Sequence, residues 1–416
     1  MQRVTFDNNQ SIGGTGPNRG GVAYGAMSIF FSTVTVEDCI FTNNLAQAGS
    51  STGSGINGGL HADALGGAIS IENGKGSPPT QNGTITLNRL TISGNQVKGG
   101  NASTTNGTGG GAYGAAIVVE YTTLFSISDS SIVNNTATAG TGHTGGNTGG
   151  GGIHAADNSQ LSFDRVTVNK NSAIGGNGAS GGNSGPGSGG GMYLFATRAG
   201  SHHATLNNVI IAENQAYQGT VGVQSLGNGS GGGLQIDGLA ADINHATIVS
   251  NHIGSNMVLA QGLEIQPWNG TTPALAASVN LNYSIIADHT GGDTRASAIV
   301  VVPGSTLTIN KDLFADNTIN TNENSMPIAP GTINGLNTVL TATSAGFVSP
   351  GSPDYNYHLL STSPAIDQAT GSTTPVDIDN HRRPFGAISD IGADEYETSG
   401  HSANQHYIYL PFVRKQ

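Results

Sequence analysis

The chain has 416 residues, of which 65 are glycine, and only 10% of its residues carry a charged side chain. Its net charge of −12 disfavours nucleic acid and anionic membranes as partners, and it has no apolar run of the about 18 residues that a membrane-spanning helix needs. The glycines follow no Gly-X-Y period, which excludes collagen, and the single cysteine, Cys39, excludes a disulfide framework.

A short phrase, apolar-x-x-Asn, recurs along most of the chain at irregular intervals. It occupies residues 6–9, 41–44, 92–95, 132–135, 168–171, 211–214 and 248–251, with degenerate copies at 285–288 and 313–316. A fixed motif whose copies are separated by variable numbers of residues is typical of stacked coils that are joined by variable loops.

Each repeat contains short apolar segments with period-two alternation. In the repeat 151–171 these segments are 151–155, 160–163 and 166–168, which fit three faces of a coil. Parallel crossovers are almost always right-handed. We therefore predict an all-β, right-handed parallel β-helix, a solenoid of about eight or more coils, over residues 1–320. Terminal irregular coils and a capping segment over 321–397, and then a tail over 398–416, should follow.

The asparagine that ends each phrase should lie at a tight turn, because asparagine tolerates the left-handed conformation and bonds to the local backbone. Stacked amides can also hydrogen-bond to each other. The sequence predicts such a structural ladder from Asn9, Asn44, Asn95, Asn135, Asn171, Asn214 and Asn251. A second polar column lies earlier in the repeats, at Glu37, Asn88, Asp164, Asn207 and Asn244.

Glycine-rich loops separate the asparagine from the next repeat, and they should all emerge on one side of the rod. They occupy residues 13–24, 49–65, 99–113, 140–150, 175–189 and 219–231. One alternative is a set of flexible loops, since ordering glycine costs backbone entropy. The other is a stack of extended, polyproline-II-like segments that forms a flat polar ledge. Such a ledge would suit a saccharide or another subunit.

Two families resemble parts of this chain. Residues 6–9 and 41–44 (Phe-Asp-Asn-Asn and Phe-Thr-Asn-Asn), together with Gly-Gly-Ala-Ile at 66–69, resemble the repeats of polymorphic outer-membrane adhesins. This likeness extends in degenerate form to about residue 316.

The second resemblance lies near the C-terminus. Ser-Pro-Ala-Ile-Asp at 363–367, Asp-Ile-Asp-Asn-His-Arg-Arg-Pro at 377–384 and Asp-Ile-Gly-Ala-Asp-Glu-Tyr at 390–396 resemble the end of choice-of-anchor Q secreted β-helix proteins. The tail at 407–415 is similar to Tyr-Leu-Pro-apolar-Val-Arg endings on secreted proteins of filamentous bacteria. These resemblances imply an exported bacterial protein of the cell surface or extracellular space, and no particular reaction.

Many β-helix proteins cut polysaccharides, so candidate catalytic residues have to be considered. Glycoside hydrolysis requires two facing carboxylates, and a lyase requires a basic residue beside acidic groups. The best carboxylates are Asp237, Asp242 and Glu264, of which Glu264 aligns with Gln235 one repeat earlier; Asp293 and Arg295 follow. The simpler interpretation is that these groups are solvated, and we assign no catalytic residue.

Histidines and the single tryptophan offer further candidates. His252 and His289 each follow a phrase and could stack on adjacent coils, with His245 near the preceding turn. A metal site would need a third ligand and fixed geometry, so exposed turn histidines are the simpler interpretation. Trp268 lies in an insertion and could stack on a sugar, or it could anchor its loop.

Acidic residues surround two arginines in the C-terminal part. These residues are Asp367, Asp377, Asp379, Asp390 and Asp394, with Arg382 and Arg383. An arginine–carboxylate network that caps the open end of the β-helix is one interpretation. A Ca²⁺ site at Asp377, Asp379 and Asp390 is the alternative, and no other cofactor is expected.

These observations favour a non-enzymatic extracellular surface or matrix protein that is adhesive, self-associating, or both. The first repeat begins part-way through, so we expect that upstream residues were removed or that another subunit completes it. An uncovered end favours strand addition from another copy, hence a fibre. Extracellular polysaccharide is a further candidate partner. The alternative function is a carbohydrate-active enzyme, either a polysaccharide lyase or a glycoside hydrolase.

Overall fold

The protein is a right-handed parallel β-helix, as predicted. The computed structural model describes residues 1–52, 62–74, 76, 80–103, 105–220, 224–225, 230–254, 260–290, 298–323 and 329–397. The predicted tail, the candidates Asp293 and Arg295, and parts of the loops 49–65 and 219–231 lie outside the described residues.

One parallel sheet, here called the long sheet, holds the second and third predicted strands of the coils, which meet at a bend with a left-handed residue such as Asp38 or Arg165. Its strands pair in register with those of successive coils. Its strands are Thr5–Asp7, Val34–Glu37, Ile40–Thr42, Asn82–Asn88, Thr91–Ser93, Thr122–Val133, Gln160–Asn169, His203–Ala212, Ala240–Asn244, Thr247–Val249, Ser278–Asn282, Ile285–Ala287, Thr306–Asn310, Leu313–Ala315, Thr332–Asn334 and Leu340–Ala342. The last two strands lie beyond residue 320, where terminal irregular coils were predicted, and they pair in parallel with the preceding coil.

Two further parallel sheets complete the coils. The ladder sheet follows the repeated asparagines and consists of Gln10–Ile12, Leu45–Gln47, Gln96–Lys98, Thr136–Thr138, Ser172–Ile174, Gln215–Tyr217 and His252–Ile253. The covered sheet follows the glycine loops and consists of Met27–Phe30, Ile69–Glu72, Ile117–Glu120, Ile153–Ala156, Met192–Phe195, Leu234–Asp237, Leu263–Gln266 and Ile299–Val301.

The core is a stack of aliphatic and phenyl side chains that alternate with outward polar residues along each strand. The apolar residues of the repeated phrase form one inward column. In it Phe41, Ile92, Ile132 and Val168 each pair with the next across adjacent strands, and all are almost completely buried. At one end the Phe6 ring stacks on the Phe41 ring at 4.7 Å. Stacking therefore buries the apolar side that a single coil could not bury alone.

The repeated asparagines form a continuous ladder inside the turn. Asn44 donates its backbone N–H and its side-chain Nδ2 to Oδ1 of Asn95, at 3.0 and 2.8 Å, and the same double contact recurs from Asn9 to Asn251. However, the left-handed residue is the one before the ladder asparagine, for example Asn43 or Asn134. The buried amide replaces backbone partners that the turn removes.

The ladder continues past Asn251 in a register that differs from the predicted one. Ile248 pairs with Ile286, and Val249 with Ala287, so His289 occupies the ladder position in the next coil. Asn317 follows, and its Oδ1 accepts the His289 backbone N–H at 3.1 Å. The predicted copies at 285–288 and 313–316 are therefore wrong by one residue, because adjacent apolar residues hide the register in sequence.

The glycine loops are stacked. Backbone N–H groups donate from one loop to the next, from Gly176 to Gly146 at 2.9 Å and from Gly219 to Gly185 at 3.0 Å. Within a loop, Gly146 donates to Gly140 and Gly185 donates to Gly176, both at 2.9 Å. A Cβ on Gly140 would lie 2.0 Å from the Gly100 carbonyl oxygen, so only glycine permits this approach. The returning ends form a glycine sheet of Ala23–Tyr24, Ala64–Leu65, Ala112–Tyr113, Thr148–Gly149 and Gly187–Ser188.

The C-terminal residues divide into two parts. Ile333, Leu336 and Val339 pack against the last core residues, and a 3₁₀ turn lies at Leu336–Thr338. Residues 345–397, here called the flank segment, contain the antiparallel pair Phe347–Ser349 and Asn356–Leu359 and pack on the outside of the long sheet. Their contacts there include Ile210, Val249, Ile285 and Leu313. The flank segment thus covers a side of the rod, whereas a cap on its end was predicted.

Candidate functional site

Several outward side chains of the covered sheet are buried although they point away from the core. Val118, His154, Gln235, Asp237 and Glu264 are all at most 4% exposed. The glycine sheet lies over part of this face, where the Tyr113 ring is 4.9 Å from the His154 ring. A strip of polar and aromatic groups is therefore enclosed between two sheets.

Asp237 lies in this strip and has several hydrogen-bond donors. Its carboxylate accepts Tyr193 Oη at 2.7 Å, Gln235 Nε2 at 3.1 Å and Gln266 Nε2 at 3.0 Å. Burial raises the pKa of Asp237 to about 7, and the three donors oppose that shift. The group is held in place and is 2% exposed.

Glu264 is the neighbour of Gln235 on the next coil, as the sequence alignment of repeats predicted. It is 1% exposed, and its Oε2 has no hydrogen-bond partner. Burial, together with the charge of Asp237, raises the pKa of Glu264 to about 8. The structure thus brings Asp237 and Glu264 to adjacent strands of one sealed face.

Asp242 does not join them. It lies on the long sheet, where His203 Nε2 and Asn280 Nδ2 contact its carboxylate at 3.0 and 2.7 Å. The two acidic positions fall on different faces because a bend follows Asp237, where Gly238 has a φ of 66°. The predicted set of three carboxylates is therefore not assembled.

Trp268 lies beside the covered strip. Its backbone pairs with Leu275 in both directions, at 2.8 and 3.0 Å, and its ring stacks on Phe195 at 5.5 Å. Phe195 stacks in turn on Tyr193 at 4.6 Å. The backbone pairing anchors the insertion, and the Phe195 ring occupies one face of the half-buried indole ring of Trp268.

The histidines do not form the predicted stack. His289 stacks in line with Asn251, whereas His252 pairs with Gln215 on the ladder sheet. His245 is buried against Tyr283 at 5.3 Å, and its Nε2 lies 2.6 Å from Ser372 Oγ of the flank segment. Burial lowers the pKa of His245 to about 3 and that of His289 to about 4.

The flank segment contains the only groups of potential metal ligands found among the described residues. One group is His358, Asp379 and Asp394, and the other is Asp377, Asp379 and His381. Asp390 lies elsewhere and accepts the backbone N–H groups of Asp367 and Tyr396. The predicted Ca²⁺ set of Asp377, Asp379 and Asp390 is therefore only partly brought together, and the histidines replace its third member.

His358 neutralises part of this acidic cluster. Its Nε2 lies 2.6 Å from Asp379 Oδ2 and 4.0 Å from Asp394 Oδ1. Although burial opposes the shift, the hydrogen bond to Asp379 and the charges of Asp394 and Asp379 raise the pKa of His358 to about 9. The imidazolium is the charge partner of these carboxylates at neutral pH.

An arginine–carboxylate network exists, but its centre is Arg383 and its main partner is Glu395. Arg383 is buried and donates to Glu395 Oε2 at 2.9 Å and to the Gly392 carbonyl at 2.7 Å. Arg382 is exposed. Glu395 also accepts the backbone N–H groups of Phe385 and Asp390. The network therefore fixes the fold of the flank segment.

A polar groove of about 430 Å³ lies between the flank segment and the long sheet. Its floor includes the second polar column, and its wall is the strap formed by residues 371–376. Asp164, Asn207 and Asn244 come from successive coils, with Arg165, Asn208 and Tyr283 at the bends beside them. Sequence analysis found the column but not the strap that encloses it.

Comparison with protein families, characterised proteins and solved structures found no match to this chain. Among the described residues, no helix is long and apolar enough to cross a membrane.

Proposed function

We propose that this protein is a non-enzymatic extracellular surface or matrix protein of a bacterium, with an adhesive role. The observation that carries the proposal is the burial of the two best-placed carboxylates. Asp237 and Glu264 are 2% and 1% exposed, so a polysaccharide cannot reach them unless the groups packed over them move. The resemblances at 6–9, 66–69 and 363–396 support export and surface display.

The architecture suits such a role. Hydrogen bonds run from coil to coil through the asparagine ladder and from loop to loop through the stacked glycines, so the rod and its ledge are rigid together. A rigid, weakly charged, elongated surface offers many equivalent positions for weak contacts, and their combination gives avidity.

Self-association is a second proposed property, supported by exposed apolar side chains on the first coils. Ile12 is 62% exposed, Phe31 57% and Ile40 42%. In the described part of the chain, no strand pairs with the outer edge of Met27–Phe30. A second copy that adds a coil would bury these groups and pair the edge. Analytical ultracentrifugation and electron microscopy test this; monomers alone over a wide concentration range would contradict it.

A carbohydrate-active enzyme is the alternative, and one pair of residues favours it. Asp288 and Asp316 occupy the same left-handed bend on adjacent coils, so their backbones are roughly one strand spacing of 4.8 Å apart. Burial, the charge of Asp316 and that of Glu213 raise the pKa of Asp288 to about 6. A retaining glycosidase needs carboxyl groups about 5 Å apart, one of them protonated.

A cleavage assay separates the two proposals. The purified protein should release no reducing ends and no unsaturated products from a panel of neutral and acidic polysaccharides. The same panel should be retained on protein-coated surfaces if the protein is adhesive. Cleavage that disappears in Asp288→Asn, or in Asp237→Asn and Glu264→Gln, would establish the enzyme and overturn the non-enzymatic proposal.

A further inference from the structure

Two glutamates end adjacent strands of the covered sheet without a positive partner. Glu72 and Glu120 are paired neighbours in Ile69–Glu72 and Ile117–Glu120, so their backbones are roughly 4.8 Å apart. Both side chains are half-buried, and that of Glu120 is 25% exposed, so a ligand can reach them. Within the described ranges, neither carboxylate accepts a hydrogen bond or pairs with a lysine or an arginine.

The two like charges favour a positively charged ligand. Burial and the charge of Glu72, followed by the charges of Asp157 and Asp63, raise the pKa of Glu120 to about 7. An opposite charge within about 4–6 Å would favour the ionised carboxylate again. The net charge of −12 on the whole chain attracts the same kind of ligand from a distance.

The His154 imidazole adds a buried acceptor that faces this pair. His154 is 4% exposed, and its Nε2 lies 3.9 Å from Glu120 Oε1, beyond hydrogen-bonding distance. No group in the described part of the chain forms a hydrogen bond with Nε2, whereas Nδ1 lies beside the backbone of Gly149. Burial lowers the pKa of His154 to about 3, so the ring is neutral at pH 7. With the proton on Nδ1, Nε2 is an unpaired acceptor directed toward the glutamates.

These three acceptors suit an ammonium group better than a metal ion. An ammonium nitrogen has three donors and lies about 2.7–3.2 Å from its acceptors. A metal ion lies about 2.0–2.3 Å from its ligands and needs a more compact set. Among the described residues, sets that are compact enough for a metal ion occur only in the flank segment. The site at Glu72 and Glu120 therefore selects an organic cation.

Aromatic rings border the two carboxylates. The Tyr24 ring lies 5.6 Å from the Phe30 ring and nearly perpendicular to it, and Phe30 pairs with Glu72 across adjacent strands. Burial and the charges of Glu72 and Glu120 raise the pKa of Tyr24, against a smaller effect of Arg19, so Tyr24 lies close to both glutamates. Aromatic faces attract an ammonium group. They also match the flat face of a sugar ring, whereas a lysine stem has no such face.

We infer that this site binds the ammonium group of an amino sugar in an extracellular polysaccharide. Glu72, Glu120 and His154 Nε2 accept its N–H groups. Tyr24 and Phe30 contact the sugar ring that carries it. The inference rests on the proposed adhesive function, for which it supplies a ligand class and a site.

Isothermal titration of the whole chain with a glucosamine hexamer at pH 6 tests the inference. The hexamer should bind the wild-type protein. Its N-acetylated counterpart has the same rings without ammonium groups and should bind at least about tenfold more weakly. Hexalysine supplies the ammonium groups without sugar rings and should also bind at least about tenfold more weakly. Equal or tighter binding of either control probe overturns the inference, and with hexalysine it would identify a protein partner instead.

Charge-removing variants give a second measure. Glu72→Gln and Glu120→Gln should each weaken binding of the glucosamine hexamer at least about tenfold, because each removes a negative charge and keeps the size of the side chain. Glu37→Gln, at a strand end of the long sheet, is the matched control. It loses the same charge outside the site, so its affinity should stay within about twofold of the wild type, since salt screens a distant charge.

Two results separate this site from the adhesive function. Failure of the glucosamine hexamer to bind, or an equal loss of affinity in Glu37→Gln and Glu120→Gln, overturns the inference. If protein-coated surfaces still retain neutral polysaccharides in that case, the site is wrong and the adhesive function stands. If they retain no polysaccharide at all, both proposals are wrong.

Discussion

His289 stands in line with Asn251 in the asparagine ladder, and both its backbone N–H and its Nδ1 lie within 3.1 Å of Asn317 Oδ1. The imidazole is buried, and its Nε2 has no partner. One ladder position is thus filled by a titratable ring. Histidine at this position keeps the backbone contact of the ladder but makes the stability of the fold sensitive to acid.

His289→Asn should stabilise the protein and make it less acid-sensitive. Burial lowers the pKa of His289 to about 4 in the folded state, against a reference of 6.5. Stability from the neutral ring is therefore present above pH 6.5 and is lost as pH falls toward 4. Urea unfolding at several pH values should show that the free energy of unfolding falls less steeply with acid in the variant than in the wild type. At pH 7 the free energy of unfolding of the variant should be higher by about 1 kcal/mol. An unchanged pH profile would contradict this assignment.

Asn135→Ala should destabilise the rod by about 2–4 kcal/mol. The Asn135 side chain donates to Asn171 Oδ1 at 2.9 Å and to the Ile92 carbonyl at 3.1 Å, and its Oδ1 accepts Asn95 N at 3.0 Å. Removing it leaves several buried polar groups unpaired. Thr138→Ala, on the adjacent strand and half-buried, is the control and should change stability by less than about 1 kcal/mol.

Gly140→Ala should disrupt the stacked loops, because its Cβ would lie 2.0 Å from the Gly100 carbonyl oxygen. We expect a loss of about 1–3 kcal/mol, together with faster hydrogen exchange in the loops around residues 100, 110 and 146. Gly14→Ala is a matched control, since nothing lies within 4 Å of its Cβ position. Equal exchange rates in both variants would argue against a stack in solution.

The flank segment should loosen in alkali. The folded-state pKa of His358 is raised to about 9 from 6.5, so the stability from its contact with Asp379 is fully present below pH 6.5 and is lost as pH rises through about 9. His358→Gln should remove this dependence and lower stability at pH 6, by up to roughly 3 kcal/mol. Thermal melts followed by circular dichroism between pH 6 and pH 10 measure this pH dependence. Melting temperatures that change in parallel with pH in the variant and the wild type would contradict the prediction.

Calcium should bind to the flank segment only in competition with the imidazolium of His358, which already neutralises Asp379. We therefore expect Ca²⁺ to raise the melting temperature more at pH 9 than at pH 6, and Asp379→Asn to abolish the effect at both. Thermal melts with Ca²⁺ and with a chelator provide the measurement. Equal melting temperatures at pH 9 with and without Ca²⁺ would exclude the site.

Much of the fold was predictable from the sequence, because each coil repeats the same local requirement. Phe41 and Asn44 form a phrase in which an apolar residue enters the core and an amide replaces turn hydrogen bonds, so the phrase identifies strand, turn and ladder together. Where two apolar residues adjoin, as at Ile285 and Ile286, alternation no longer fixes the register, and the prediction was displaced by one residue.

The candidate sites were less predictable. Aligning the repeats placed Glu264 beside Gln235, which the pairing of strands bears out. It did not reveal that the strip is sealed, because the cover comes from loops that lack any periodic signal. Asp242 was grouped with Asp237, but a bend at Gly238 places the two on different faces. Asp390 was grouped with Asp377 and Asp379, but it contacts the backbone of Asp367 and Tyr396 instead.

The sequence by itself determined the solenoid and its asparagine ladder, since these depend on contacts that recur at equivalent positions of successive repeats. Its three predicted strands per coil are only partly confirmed, because the second and third are continuous in the coil 151–171 and the strand after the asparagine was not predicted. Only the tertiary structure decided that the glycine loops stack and that the flank segment lies along the side of the rod. It also decided that the strap encloses part of the second polar column. These features depend on close backbone approach and on contacts between distant segments, such as Ser372 with His245, and no local pattern encodes them.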